Sequence, residues 1–303
     1  MSRIYEALER AESERGGTSA LEQDQEKRTT VASAAEEPPI AGNSQLFETA
    51  ARHSWKPSPS FLPTLADTGV AIEQFRSLRS SIYQIRDQVP LKTIVISSGM
   101  PAEGKTFVAA NLAISLARNN ERPVLLIDGD LRRPALHKLL GIGETPGLMQ
   151  YLAEEAGPAE ILQRDTGAEI SDARAAHAIS NIGFIPAGHG SDHAPELVGN
   201  RRIEELIAWV SPHFSWIIVD SPPVLAVTDA VDLARAADGV LLVARGATTT
   251  FDIAQRAQAA FSNSRVLGFV LNAVKHAPRS DSYYYYRGER ANETPNKHTP
   301  RRS

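Results

Sequence analysis

A chain of 303 residues has room for about two domains, but a net charge of −4 and a pI near 6.1 give it no general electrostatic reason to bind nucleic acid. Zero cysteines exclude disulfides, thiolate zinc sites and a cysteine nucleophile. No apolar run approaches the ~18 residues of a membrane span and the N-terminus lacks a signal-peptide core, so one soluble, cytoplasmic domain with appendages is expected.

In residues 1–15, Ile4, Leu8 and Ala11 stand at i, i+4 and i+7 among Glu and Arg, the pattern of a short amphipathic helix. Residues 16–63 turn to Ser, Glu, Pro, Gly, Ala and Gln without sustained periodicity and read as a disordered linker. A nucleotide-binding domain is expected over 64–275. It opens with a helix between Gly69 and Pro90, built on Ile72, Phe75, Leu78, Ile82 and Ile85. Glu73, Arg76 and Arg79 share one side of that helix, and spacing alone makes them a solvated salt-bridged face worth a few tenths of a kcal/mol.

The apolar run Ile94-Val95-Ile96 then enters a loop in which Gly99, four residues, Gly104, Lys105 and Thr106 satisfy G-x-x-x-x-G-K-[ST]. In that pattern backbone N–H groups wrap phosphates, the lysine pairs with them and the hydroxyl holds Mg²⁺. The helix expected from Phe107 to Ala117 turns its positive end to the same anion. Pro101 brings no N–H, and Glu103 brings a negative charge that is expected to point away.

A second buried strand over 123–130 ends in Asp128 and Asp130, and a third over 216–223 delivers Asp220. Acids at strand C-termini lie at the edge where open α/β sheets bind ligands, and beside a triphosphate they become candidates to hold Mg²⁺ or accept a proton. Arg132 and Arg133 could neutralise phosphate or hold a carboxylate. Between these strands, residues 145–164 read as an amphipathic helix, 181–186 as a short strand and 195–210 as another helix. His189 and His193 follow no helical pattern that would make a metal site. The chain continues with a helix at 229–237, a strand at 239–244, a helix at 251–262 and a strand at 266–272, closed by Asn272, whose amide could read an adenine edge or simply turn the chain. Alternating strand and helix predicts an α/β fold, a P-loop NTPase-like, mostly parallel sheet with helices on both faces.

Residues 276–303 read as a flexible tail, yet it holds Tyr283, Tyr284, Tyr285 and Tyr286, four of the seven tyrosines in the chain. Clustered phenols on a polar tether look like a substrate; a sticky edge strand is the alternative.

Together these features resemble the bacterial tyrosine kinases, the autokinases of capsule and exopolysaccharide assembly, some of which begin with a similar Ser-Arg-Ile-Tyr-Glu-Ala-Leu segment. The resemblance runs over about residues 65–286, on Ser98–Thr106, on Leu125-Leu-Ile-Asp-Gly-Asp-Leu-Arg132 and on Ile217-Ile-Val-Asp220, in order and spacing. It implies an ATP- and Mg²⁺-dependent protein-tyrosine kinase whose tail tyrosines 283–286 are autophosphorylated, and it turns Glu73, Arg76 and Arg79 into the motif that assembles subunits into a ring. It places nucleotide contacts at Gly99, Ala102, Glu103, Gly104, Lys105, Thr106, Phe107 and Asn272. The metal falls to Thr106, Asp130 and Asp220, and catalysis to Lys105, Asp128, Asp130 and Asp220, with Asp128 orienting or deprotonating the incoming phenol. The implied partners are the chain itself, a separate transmembrane polysaccharide chain-length regulator as activator and a cognate phosphotyrosine phosphatase, with no nucleic acid; the expected location is the inner face of the plasma membrane. The other readings are a partition- or septum-placement-type ATPase, whose phosphate loop usually carries a lysine where this chain has Met100, and a nucleotide-binding adaptor without transfer activity.

Overall fold

The computed structural model describes residues 45–66, 68–167, 170, 172–189 and 201–274. The expected N-terminal helix, the linker up to residue 44 and the tyrosine cluster lie outside them. In chain order the elements are α1 (Gln45–Thr49), β1 (Ala51–His53), α2 (Val70–Arg86), β2 (Thr93–Ser98), α3 (Lys105–Ala117), β3 (Val124–Asp128), α4 (Leu136–Leu140), α5 (Leu148–Leu152), β4 (Gln163–Asp165), α6 (Ala173–Ser180), β5 (Ile182–Ile185), α7 (Arg202–Val210), β6 (Trp216–Asp220), α8 (Asp229–Arg235), β7 (Gly239–Arg245), α9 (Phe251–Ala260) and β8 (Val266–Asn272). One eight-stranded sheet runs in the order β1-β4-β5-β3-β6-β2-β7-β8, parallel throughout except where β4 meets β5.

The central strands are apolar on both faces, because each residue alternates between two cores. Ile94, Ile96, Val124, Leu126, Trp216 and Ile218 face α2, α3, α4 and α6. Val95, Leu125, Ile127, Ile217 and Val219 face α5, α7 and α8. Helix α3 is buried from Val108 to Ala117, sandwiched between the sheet and α2. Helix α2 docks on it through Phe75, whose ring lies 5.9 Å from that of Phe107.

Two expectations are corrected. Residues 45–63 are not linker: Phe47, Trp55 and Leu62 are buried, at about 1.5–3 kcal/mol each for such side chains, and β1 pairs with β4. Asn111 of α3 anchors this segment, its Nδ2 donating to Phe61 O at 3.0 Å and its Oδ1 accepting from the Thr64 hydroxyl at 2.7 Å. Nor are residues 145–164 one helix. Helix α5 is five residues long and stops at Ala153, Glu154 takes a left-handed φ of 63°, and the stretch ends in β4. Leu148 and Met149, in the first turn of α5, donate their N–H groups to Pro186 and Ala187 O, tying the start of the helix to the end of β5. Helix α6, with its Asp172 side chain accepting from Ala175 N–H, was not foreseen.

Candidate nucleotide site

Strands β3, β6 and β2 are adjacent and parallel, so their carboxyl ends share one edge, with Asp128 and Asp220 in direct register. The phosphate loop leaves β2 at this edge and runs into α3, whose first residue is Lys105 and whose N-cap is Gly104. Gly104 has φ +98°, and a Cβ there would lie 2.0 Å from Asn272 Nδ2. Only glycine fits that turn. Between Asp128 and Asp130, Gly129 donates its N–H to Asp220 O at 2.8 Å, and a Cβ on it would stand 2.7 Å from the same oxygen. That close approach holds the ends of β3 and β6 together.

Lys105 Nζ pairs with Asp130 Oδ2 at 2.8 Å, with both side chains largely buried. Burial opposes the lysine's charge, but Asp220, Asp130 and Asp128 outweigh it and hold its pKa above the usual value. Asp220 is fully buried, and neither of its carboxylate oxygens has a hydrogen-bond partner. Burial pushes it up to about 6, against the pull of the Lys105 charge and the Thr106 hydroxyl. A buried carboxylate with no close hydrogen bond, met only by the nearby Lys105 charge and Thr106 hydroxyl, is the group a cation would satisfy. Thr106, Asp130 and Asp220 together offer hard oxygen donors of the kind Mg²⁺ takes alongside phosphate oxygens. No three acidic, histidine or cysteine side chains among the described residues form a metal cage by themselves.

Asp128 is placed differently. It is fully buried, its Oδ2 accepts from Ala135 and Leu136 N–H at 3.1 and 3.0 Å, and its Oδ1 from Asp130 N–H at 3.3 Å. Burial and the Asp220 charge raise it to about 7 while the backbone donors pull it down. Its immediate work is to shape the turn that carries Asp130. Arg132 Nε donates to Asp229 Oδ2 at 3.1 Å, bringing α8 to the same turn.

In the loop itself, Glu103 is buried and its Oε2 accepts from Met100 N–H at 2.8 Å, so its carboxylate is engaged by the protein. Asn272 Nδ2 donates to Glu103 O at 3.0 Å. Gly99 sits against α9, where a Cβ would meet Ile253 Cγ2 at 2.9 Å. Phe107 packs on Phe75 of α2. Glu73 and Arg76 are exposed and paired at 2.5 Å, whereas Arg79 turns inward and donates to Ser115 O at 2.7 Å within its own chain. Sequence reasoning missed Arg245 and Thr249, which grip the phosphate loop from the end of β7 and the turn after it. A polar turn between strand and helix carries no motif that would have revealed them.

A parallel sheet with a glycine-lysine-threonine loop and two acid-tipped neighbouring strands defines a P-loop nucleotide-binding protein. The chain matches the CobQ/CobB/MinD/ParA nucleotide binding domain family over residues 94–288 and belongs to it. Within that family its relatives are bacterial tyrosine kinases. It is 36% identical over 225 residues to the tyrosine-protein kinase wzc of Salmonella typhimurium, covering 73% of this chain but only 30% of that protein. It is 31% identical to the tyrosine-protein kinase YwqD of Bacillus subtilis, covering 70% of this chain and 85% of the relative. Among solved structures, the kinase domain of the Escherichia coli tyrosine kinase ETK superposes with a TM-score of 0.66 at 28% identity, covering 76% of this chain and 85% of that one. The chain is a member of the bacterial tyrosine-kinase family.

Proposed function

We propose that the chain is an ATP- and Mg²⁺-dependent tyrosine autokinase of polysaccharide assembly whose acceptors are Tyr283–Tyr286 of its own tail. The observation that carries this reading is the convergence of Lys105, Asp130 and the fully buried Asp220 on one sheet edge behind a phosphate loop. Phosphoryl transfer asks the protein mainly for positioning and charge neutralisation. Loop N–H groups and Lys105 bind the phosphates, once Lys105 exchanges Asp130 for the nucleotide. Thr106, Asp130 and Asp220 would hold Mg²⁺, which when bound neutralises charge around the γ-phosphate. Asp128 takes the phenol proton, a role that requires its oxygens to come free of Ala135 and Leu136. Asn272, whose Nδ2 is held by Glu103 O, keeps its Oδ1 as an acceptor that would read the adenine edge.

From Asn272 to Tyr283 is eleven residues, so the tail spans at most ~36–40 Å and can reach its own site or a neighbour's. A ring formed through Glu73 and Arg76 favours the neighbour, with a membrane chain-length regulator as activator and a phosphatase resetting the tail. Among the described residues no helix is long and apolar enough to cross a membrane. The test mixes Lys105→Met protein, tail intact, with active protein whose four tail tyrosines are phenylalanine, in Mg·ATP, and reads the tail by mass spectrometry. Phosphate on the intact tail is expected. ATP hydrolysis by the unmodified protein with no tail phosphate in any mixture overturns the kinase reading in favour of an ATPase.

A further inference from the structure

The phosphate loop is held from outside by a chain of hydrogen bonds that converges on the Glu103 carboxylate. Arg245 N–H donates to Thr249 Oγ at 2.7 Å, which commits the Thr249 hydroxyl proton to its other neighbour, Glu103 Oε1. Glu103 Oε2 in turn accepts from Met100 N–H at 2.8 Å, three residues back along the loop. The Arg245 guanidinium reaches over the same stretch and donates to Ala102 O at 2.9 Å. Ala102 is one of the few non-glycine residues with positive φ, at 62°, a conformation an alanine keeps only where its surroundings hold it.

We propose that Arg245, the last residue of β7, and Thr249, on the turn between β7 and α9, are positioning residues for nucleotide binding. They act through Glu103 and Ala102 to keep the loop N–H groups aimed at the phosphates before nucleotide arrives. Glu103 is thereby a loop buckle and not a phosphate contact. Its acidity is what makes it suitable, since one carboxylate accepts from the loop and from the clamp at once, and charge-assisted hydrogen bonds are stronger than neutral ones. The same arrangement makes the residues after β7 part of the site although they touch no phosphate. The inference rests on the reading of this loop as a nucleotide site.

The test compares wild type with Thr249→Val, which keeps the shape and removes the hydroxyl, and Thr249→Ser, which restores it. Mg·ADP binding is measured by calorimetry and amide exchange over residues 99–106 in the nucleotide-free protein. Thr249→Val is expected to bind about tenfold more weakly, to exchange faster across the loop and to raise the KM for ATP more than it lowers kcat, with Thr249→Ser close to wild type. Should Thr249→Val not fold, Arg245→Ala, which truncates an exposed side chain, carries the same measurements with loosening centred on Ala102. Unchanged affinity and unchanged exchange in these variants overturn the clamp, as does Thr249→Ser behaving like valine. Wild type that fails to bind Mg·ADP overturns the nucleotide reading instead, and loop exchange alone then decides the clamp.

Discussion

Arg76 and Arg79 stand three residues apart in one helix, and their surroundings predict opposite consequences of truncation. Arg79 Nη1 donates to Ser115 O at 2.7 Å and lies 3.2 Å from Ser115 Oγ, linking α2 to α3. Ser115 is in the last turn of α3, where backbone carbonyls lack helical partners, so the guanidinium satisfies a group that would otherwise stay buried and bare. A hydrogen bond from a charged donor contributes about 1.5–3 kcal/mol, and partial exposure of Arg79 reduces this to about 1–2 kcal/mol. Arg76 is exposed and pairs only with exposed Glu73 one turn away, worth under about 0.5 kcal/mol. For a domain of this size 1 kcal/mol moves the melting temperature by about 2–4 °C. Arg79→Ala should therefore melt several degrees below wild type and Arg76→Ala within about one degree, while Arg79→Lys recovers part of the loss through one remaining donor. Thermal denaturation of each variant in dilute solution measures this, and sedimentation at higher concentration reads assembly separately. Arg76→Ala is expected to assemble poorly without losing stability. If Arg79→Ala is as stable as wild type, the contact across α2 and α3 contributes nothing and the reasoning fails.

Other expectations follow from the site and the corrected boundary. Asp220 is an acid whose native pKa, about 6, lies above its usual 3.8, so between those values the unfolded chain releases a proton that the native state keeps. Stability of the nucleotide-free protein should fall as pH rises through that window, and Asp220→Asn should flatten the slope; parallel melting curves for the two proteins from pH 4.5 to 7 would refute this. Trp55→Ala, which empties a buried slot beside Phe184, should cost about 3–5 kcal/mol by chemical denaturation, and a loss under 1 kcal/mol would show that residues 45–66 are dispensable. Lys105→Met should abolish Mg·ADP binding in calorimetry while leaving a folded protein, and retained affinity would move the phosphate site elsewhere. Four tail phosphates add about −6 to −8 charges against a starting −4, so full phosphorylation should lower the sedimenting mass of the assembly.

Much of this site was legible in the chain because it is built from contiguous runs. Strands buried on both faces must be continuously apolar, which exposes β2, β3 and β6, and an acid ending such a strand can only stand at the sheet's carboxyl edge. Glycine spacing in the loop reports a backbone requirement that no other residue meets, as Gly104 shows against Asn272. Where a segment draws its stability from distant partners, local pattern fails. Leu46-Phe47, Trp55 and Phe61-Leu62 are short apolar spots separated by polar residues, and the slots of Phe47, Trp55 and Leu62 belong to elements far along the chain, so nothing periodic marks them. The stretch 145–164 has helical spacing, yet its helix ends after Leu152, where Glu154 turns left-handed and the chain leaves for β4, and tertiary pairing in the sheet overrides propensity.

The amino-acid sequence by itself determined the sheet, the phosphate loop, the acids at its edge and the phenols on the tail, because each is a local pattern with a local physical cause. Only the tertiary structure decided which charges are engaged. Asp128 caps a turn, Arg79 braces two helices and Glu103 buckles the loop, while Asp220 stays buried within reach of the Lys105 charge and the Thr106 hydroxyl. A side chain's work depends on which donors meet it across the fold, and residues 25 or 146 positions apart in the chain, as Lys105 and Asp130 or Glu103 and Thr249 are, carry no trace in the sequence of having met.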